Sequence, residues 1–563
     1  MAHSCPHRAT VEWAQCNGQA ADALPPRDVR PFQDVHDVCD VLPFQDAPPP
    51  PAADCALDIP ADLEEHLQSC RCHCDHMGYG NYQTWRTASR SGSLRSMNGG
   101  SYRAAKIVSE LESARPPTDR SPKRPIAGAD MEYRHWCVIC VVLVLAAVTS
   151  VGVGVPLALQ ARRSASLTER LEMVSSLLQR VPLIDGHNDF PWNLRNFVHN
   201  EVDAFNFSAD LRKVEPWNLS RWSHTDLPRL RRGQVGAQFW AAYVPCESQW
   251  LDAVPMSLEQ IDVVRRLVHK YPQYLSFATS AQEILDAHRA GRIASLLGVE
   301  GGHSLGNSLA VLRTFYRSGV RYLTLTHSCD TPWATSASEK SSPSKTSRGL
   351  NDFGKAVVLE MNRLGMIVDL SHTSLRTTRD ALVVSRAPII FSHSSAQALC
   401  NTSRNVPDDV LKQVALNGGL VMVNFYSEFI TCNSSAKLTD VIAHLNHIKR
   451  VAGADHVGLG AGYDGINWTP SGLEDVSRYP YLFAELLKDD SWTETDLKKL
   501  AGLNFIRVFK EVEQVSRQMA LEAVRPRQDR VDPLKLIFTS AARCSYELTE
   551  ALSKHSQGDE RNR

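Results

Sequence analysis

The chain has 563 residues, 43% of them hydrophobic and 22% charged, with a formal net charge of −1. This length exceeds one ordinary domain. The balanced charge excludes a protein that binds nucleic acid through a basic surface.

Residues 1–135 differ from the rest. A proline run, Ala47-Pro48-Pro49-Pro50-Pro51-Ala52, is followed by Ser-, Gly- and Arg-rich sequence over 89–102 and by mixed Pro and basic residues over 116–125. No sustained helical or strand period is present. Such a segment buries too little apolar surface to offset its ordering entropy, and a disordered tail is expected. Within it, Cys70, Cys72 and Cys74 are too tightly spaced for a standard zinc knuckle. Palmitoylation, or no function, is the reading of that cluster.

Residues 136–159 are almost wholly apolar and carry no charge. A helix of about 20 such residues spans a bilayer, and a cleaved signal peptide does not lie this deep in a chain. A single transmembrane helix is expected, with Cys137 and Cys140 as acylation candidates at its edge. Its flanking charges barely differ: Arg120, Lys123, Arg124 and Arg134 precede it, and Arg162, Arg163 and Arg170 follow. Glycosylation acceptors decide the orientation. Asn206, Asn218, Asn401, Asn433 and Asn467 each begin an Asn-x-Ser/Thr triplet after the span. The expected topology is a cytoplasmic N-terminus and an extracellular catalytic region. The cysteines Cys246, Cys329, Cys400, Cys432 and Cys544 after the span agree, since four of them suffice for two disulfides and leave one over.

From about residue 181 to 515, β-like and helical runs alternate. Apolar stretches at 181–184, 292–299, 320–326, 366–371, 388–392 and 456–460 each lead to a His, Asp or Glu. Further strand-like runs lie at 233–243, 275–279 and 418–425, with helical runs at 257–270, 305–318, 354–364 and 439–451. Strand–helix alternation with roughly eight repeats implies parallel pairing and a (β/α)8 barrel, whose strands present functional groups at one rim. The first such group is the most informative: Leu183-Ile184-Asp185-Gly186-His187-Asn188-Asp189 ends in His-x-Asp. Residues two apart on a strand share a face, so His187 and Asp189 point to one spot, and an imidazole and a carboxylate suit a divalent metal.

These segments resemble the membrane dipeptidase (renal dipeptidase) family. The resemblance rests on the 183–189 segment, Val299-Glu300-Gly301-Gly302-His303, Tyr322-Leu323-Thr324-Leu325-Thr326-His327-Ser328-Cys329, Asp369-Leu370-Ser371-His372, Phe391-Ser392-His393-Ser394-Ser395, Arg404-Asn405-Val406-Pro407-Asp408-Asp409 and Gly472-Leu473-Glu474-Asp475-Val476. It covers about 167–520 in the family's order, and leaves 521–563 as a C-terminal extension. It implies a zinc peptidase that cleaves dipeptides with two Zn2+ per chain. His187 and Asp189 would bind the first zinc, Glu300 would bridge both, and His372 and His393 would complete the second site. Asp464 would shuttle a proton at the scissile bond, His327 would contact substrate and the oxyanion, and Arg404 would grip the substrate's C-terminal carboxylate. The resemblance further implies disulfides Cys246–Cys329 and Cys400–Cys432, and a homodimer linked through Cys544.

Two departures stand out. Relatives often carry a second acid where this chain has Gly462. Many also end in a hydrophobic tail exchanged for a lipid anchor, whereas this sequence ends in polar residues, so the 136–159 span is expected to do the anchoring. Outside the resemblance, Asp464 reads as a turn aspartate and Asp369 as a support for His372; His303 reads as a supporting or structural residue rather than a ligand, and His444, His447 and His456 as surface or structural residues. Two other functions compete: a metal amidohydrolase acting on non-peptide amides, and a catalytically silent ectodomain serving as a receptor or adhesion protein.

Overall fold

The computed structural model describes residues 133–154, 160, 164–338 and 348–531. The expected tail over 1–132, its Cys70, Cys72 and Cys74, residues 155–159 of the expected span and the extension beyond 531 with Cys544 lie outside the described residues. A helix, Tyr133–Thr149, runs on into a π-helical turn, Ser150–Gly154. By length and composition the 21 residues Arg134–Gly154 are enough to cross a membrane, and none of them is buried against the protein.

Among the described residues nine parallel strands follow: β1 (Leu183–Asn188), β2 (Val235–Tyr243), β3 (Leu275–Phe277), β4 (Ile293–Glu300), β5 (Val320–Thr324), β6 (Ile367–Asp369), β7 (Ile389–Phe391), β8 (Leu420–Val423) and β9 (Val457–Leu459). Eight of them close into a ring, because β1 pairs with both β2 and β9, and β2 pairs with β4. This is a (β/α)8 barrel. The ninth strand, β3, stands outside the ring. It pairs with Ile293 to Ser295 at the start of β4, on the edge that β5 occupies only from Leu297 onward.

The period of two along the strands divides the core. Ala237 and Phe239, Ala294 and Leu296, and Leu420 and Met422 join Ile184, Tyr322, Ile367 and Ile390 in one buried cluster, which fills the barrel. Their neighbours, such as Trp240, Leu297, Val299, Val421 and Val423, belong to the larger cluster beneath the helices. The helix Asn504–Leu521 adds Phe505, Ile506, Val508, Phe509 and Val512 to the interior cluster and so closes one end of the barrel. Several outer helices start where a side chain replaces missing backbone partners. Asn351, for example, accepts from the Gly354 N–H at 3.0 Å and opens the helix Asp352–Leu364. The expected helix at 305–318 is shorter, Leu309–Arg317, because Gly302–Leu305 form a separate 3-10 turn at the rim.

Among the described residues two disulfides are present, Cys246–Cys329 and Cys400–Cys432, with Cα atoms 5.8 Å and 5.4 Å apart. Both tie loops together at the end of the barrel where the strands terminate.

Phe239 is fully buried inside the ring, 4.9 Å from the Tyr322 ring and 5.2 Å from that of Phe505. Phe239→Ala leaves a cavity between strand and plug helix, and should cost about 3–5 kcal/mol of stability. Chemical denaturation measures this. A loss below about 1 kcal/mol would show that the cluster is not the packed centre of the barrel.

Candidate metal and active site

The site is built from strand ends. His187 is the next-to-last residue of β1, and Asp189 directly follows the strand. Glu300 ends β4, and His327, His372 and His393 follow β5, β6 and β7 by two or three residues. Arg404 sits in the loop after β7, and Asp464 in the loop after β9. All eight line one cavity of about 670 Å3, which falls within the usual size of a small-molecule site.

Glu300 is the centre of this cavity. Its Oε1 lies 3.0 Å from His372 Nε2, 3.3 Å from His393 Nε2 and 3.5 Å from His187 Nε2. Asp189 Oδ2 is 3.3 Å from the same nitrogen of His187. The Nε2 atoms of His372 and His393 are only 2.9 Å apart. Ligand atoms fall into two overlapping groups that share Glu300: His187–Glu300–His393 and Glu300–His327–His372. The expected division instead gave His393 to the second zinc with His372. The donor set fits a pair of divalent cations, since imidazole nitrogens and carboxylate oxygens are the ligands such ions take.

The outer nitrogens of two histidines are already assigned. The Tyr322 hydroxyl donates to the Gly186 carbonyl at 3.3 Å, so its oxygen accepts from His187 Nδ1 at 3.0 Å. The Ser392 hydroxyl donates to Asp369 at 2.6 Å and accepts from His393 Nδ1 at 2.8 Å. Each bond places a proton on Nδ1 and turns Nε2 toward Glu300; in neutral His393 that nitrogen carries a lone pair, and in His187 it carries the second proton that a metal ion would displace. Tyr322 reaches His187 across Gly298, where a Cβ would lie 2.0 Å from the tyrosine ring. A Cβ on Gly465 would meet Asp189 Oδ2 at 1.9 Å, so that position too excludes a side chain.

Two buried aspartates hold the loops. Asp369 accepts from the backbone N–H of Ser371 and Ser392, at 3.1 and 2.8 Å, and from the Thr324 hydroxyl at 2.6 Å. It therefore joins β5, β6 and β7 beneath both histidine loops. Asp185 accepts from the N–H of Ala461 at 2.9 Å and from Gln238 at 3.0 Å, linking β1 to the loop after β9. His372 has φ +65° and Asp464 φ +67°, left-handed conformations uncommon outside glycine. Such strain concentrates at functional sites.

Burial dominates the electrostatics. It holds the His372 and His393 imidazoles well below their ordinary range and lowers His327 to about 4, so these rings are neutral. Burial also lowers His187, but the Asp189 and Glu300 carboxylates overcome it and hold a proton there. A metal cation answers the same negative charge. The Asp464 carboxyl is raised to about 7 by burial, against hydrogen bonds from Thr225 and Asn193. Asn193 reaches one carboxylate oxygen at 2.9 Å and Thr225 contacts the other, while His224 Nδ1 accepts from the Asp464 N–H at 3.0 Å. Position 462 offers no acid: a Cβ there would meet only Ile466, at 3.8 Å.

Arg404 lies with its guanidinium 5.3 Å from the Phe429 ring. Its Nη2 donates to the His393 carbonyl at 3.3 Å, and its buried Nε has no partner. Burial lowers it to about 10, and it stays charged at neutral pH.

The sequence reading missed several cavity residues. Trp192, Tyr243, Trp222, Tyr426 and Phe429 form an aromatic wall, and Asn193 and Thr225 hold Asp464. Only Tyr243 carried a signal, as the end of a strand-like run. Of the histidines read as structural, His444 bonds the Ile430 carbonyl, His456 the Gly419 carbonyl and His447 the Asp408 carboxylate, all away from the cavity.

Known proteins share this arrangement of sequence and fold. The family described as membrane dipeptidase (peptidase family M19) matches residues 171–523. Dipeptidase 3 of Mus musculus is 47% identical over 345 residues, covering 61% of this chain and 67% of that protein. Dipeptidase 3 of Rattus norvegicus is 46% identical over 360 residues, covering 63% and 71%. Among solved structures, a metallo peptidase from Rhodobacter sphaeroides, liganded with a phosphinate mimic of the dipeptide L-Ala-D-Ala, superposes with a TM-score of 0.53 at 26% identity, covering 59% of this chain and 99% of that one. With 353 consecutive residues matched and the barrel in common, this chain belongs to the membrane dipeptidase family, peptidase family M19.

Proposed function

We propose that the chain is a membrane-anchored, zinc-dependent dipeptidase with an extracellular catalytic barrel. The observation that carries this reading is the convergence of three imidazole nitrogens on Glu300 Oε1, in a cavity that also holds Arg404. His187, Asp189 and Glu300 would hold one Zn2+, and Glu300, His372 and His393 the other. Bound there, the pair would supply Lewis acidity and a water ionised at neutral pH. The protein does the rest. Arg404 pairs with the substrate's C-terminal carboxylate, a task its planar fork suits. That contact limits substrates to one residue beyond the scissile bond. Neutral His327 donates a hydrogen bond to the oxygen that gains charge. Asp464 takes the proton from water and delivers it to the leaving amine. Apart from Asp189 and Glu300, it is the one acid lining the cavity among the described residues.

The apolar helix Arg134–Gly154 supports anchoring, and the disulfides support an oxidising compartment. Asn206, Asn218, Asn401 and Asn433 are exposed, as glycan acceptors must be, whereas Asn467 is half-buried. A homodimer linked through Cys544 belongs to the same proposal. A second reading, an ectodomain that binds dipeptide-like ligands without turnover, draws on one feature. Both oxygens of Asp464 are engaged by Asn193 and Thr225, and Gly462 supplies no second acid. Hydrolysis of a dipeptide panel, with and without chelator, separates the two. Chelator-sensitive turnover supports the peptidase, and binding without turnover supports the alternative.

Arg404→Ala should lower kcat/KM on free dipeptides roughly 100-fold, the scale of a lost buried charge pair. On C-terminally amidated dipeptides, already poor substrates, the loss should be much smaller. Equal losses on both would assign Arg404 to the fold instead.

The pH profile tests Asp464. It acts as a base only when ionised, so kcat/KM should fall as pH drops through about 7, the value to which burial raises this carboxyl. Asp464→Asn should remove that limb together with most activity. A variant with an unchanged acidic limb would take Asp464 out of the reaction.

A further inference from the structure

A second cluster of metal-ligating atoms lies outside the cavity. The sulfurs of Cys246 and Cys329 and one ring nitrogen of His303 fall within 4.8 Å of one another. The three residues come from neighbouring parts of the ring. Cys246 follows β2, His303 lies in the 3-10 turn after β4, and Cys329 follows β5. In the oxidised protein the sulfurs are bonded to each other, and the disulfide joins the loops after β2 and β5, the two strands that flank β4 in the ring.

His303 is prepared in an unusual way. Its Nε2 is 3.0 Å from the Val244 carbonyl oxygen and so must donate to it. The proton is thereby fixed on Nε2, and Nδ1 holds a lone pair. That nitrogen is buried and has no hydrogen-bond partner. An imidazole anchored to a backbone carbonyl through one nitrogen, with the other free, is how proteins present histidine to a metal. A purely structural histidine at 3% exposure would be expected to satisfy both nitrogens.

We propose that reduction of Cys246–Cys329 converts this cluster into a Cys2His site for a soft divalent cation such as Zn2+, separate from the cavity site. A dithiol reductant supplies two electrons and two protons. The S–S bond breaks, two thiols form, and the reductant closes its own disulfide. Cation binding then releases the two thiol protons to solvent, leaving thiolate ligands. Once unlinked, the sulfurs separate by side-chain rotation to the roughly 3.5–4 Å that tetrahedral zinc sets between its ligands. Both cysteines are half-buried, so solvent reaches the cluster and completes the fourth position. The ion would replace the covalent tie between the loops after β2 and β5, the latter carrying His327 two residues before Cys329.

The test uses the full chain in detergent, reduced with a dithiol that is removed before Co2+ is added. Cobalt bound by thiolate shows a near-ultraviolet charge-transfer band, which the oxygen and imidazole ligands of the cavity cannot give. The reduced protein should show this band well above the oxidised protein. Cys246→Ser should lose that part of the band, and His303→Gln should weaken cobalt binding at least tenfold. Cobalt on other reduced cysteines contributes equally to parent and variants and cancels. A reduced Cys246→Ser protein with the parent's band, or a His303→Gln protein with the parent's affinity, would overturn the site.

Discussion

A carboxylate buried among imidazoles is the constraint on which the rest of this structure depends. Glu300 is 3% exposed and has no lysine or arginine bonded to it among the described residues. An isolated buried charge is among the most costly features a protein can hold. Three histidine nitrogens within 3.5 Å reduce that cost only in part, because His372 and His393 are held neutral by burial. The arrangement is balanced when cations share it. The convergence of the three imidazoles follows from satisfying that one side chain.

Holding the five candidate ligands at the ends of four strands requires supports, and the barrel supplies them from its own strands. Asp369 and Asp185 each accept hydrogen bonds from more than one strand or loop, at the rim where regular strand pairing ends. Tyr322 and Ser392 fix the tautomers of His187 and His393. The glycines at 298 and 465 leave room for the close approaches this needs. Groups with locked rotamers lose little entropy when a ligand arrives, which favours tight metal binding. The rest of the cavity lining is an aromatic wall, one guanidinium and one buried carboxyl raised to about 7.

Much of this was legible in the sequence, for a physical reason. Parallel barrel strands are short and apolar, and their functional residues come directly after them. His187, Asp189, Glu300, His327, His372 and His393 each follow an apolar run, so chain position alone reveals them. The strand at 275–279 has the same composition as the others, yet it stands outside the ring. Membership in the ring depends on which edge of β4 is free, and that is a tertiary fact. Asn193 and Thr225 were not legible either. They meet Asp464 across 271 and 239 residues of sequence and sit in no periodic pattern. Asp185 lies inside the most informative motif, but its bonds to Ala461 and Gln238 cross between strands. The free Nδ1 of His303 is likewise invisible until its neighbours are in place.

The central claim is that Glu300 organises a pair of metal ions. Elemental analysis of the purified full chain beside a Glu300→Gln variant tests it most directly. Zinc held by cysteines elsewhere is common to both proteins, so only the difference counts. The account predicts that the variant loses about two zinc ions per chain. A variant with the parent's zinc content would contradict it.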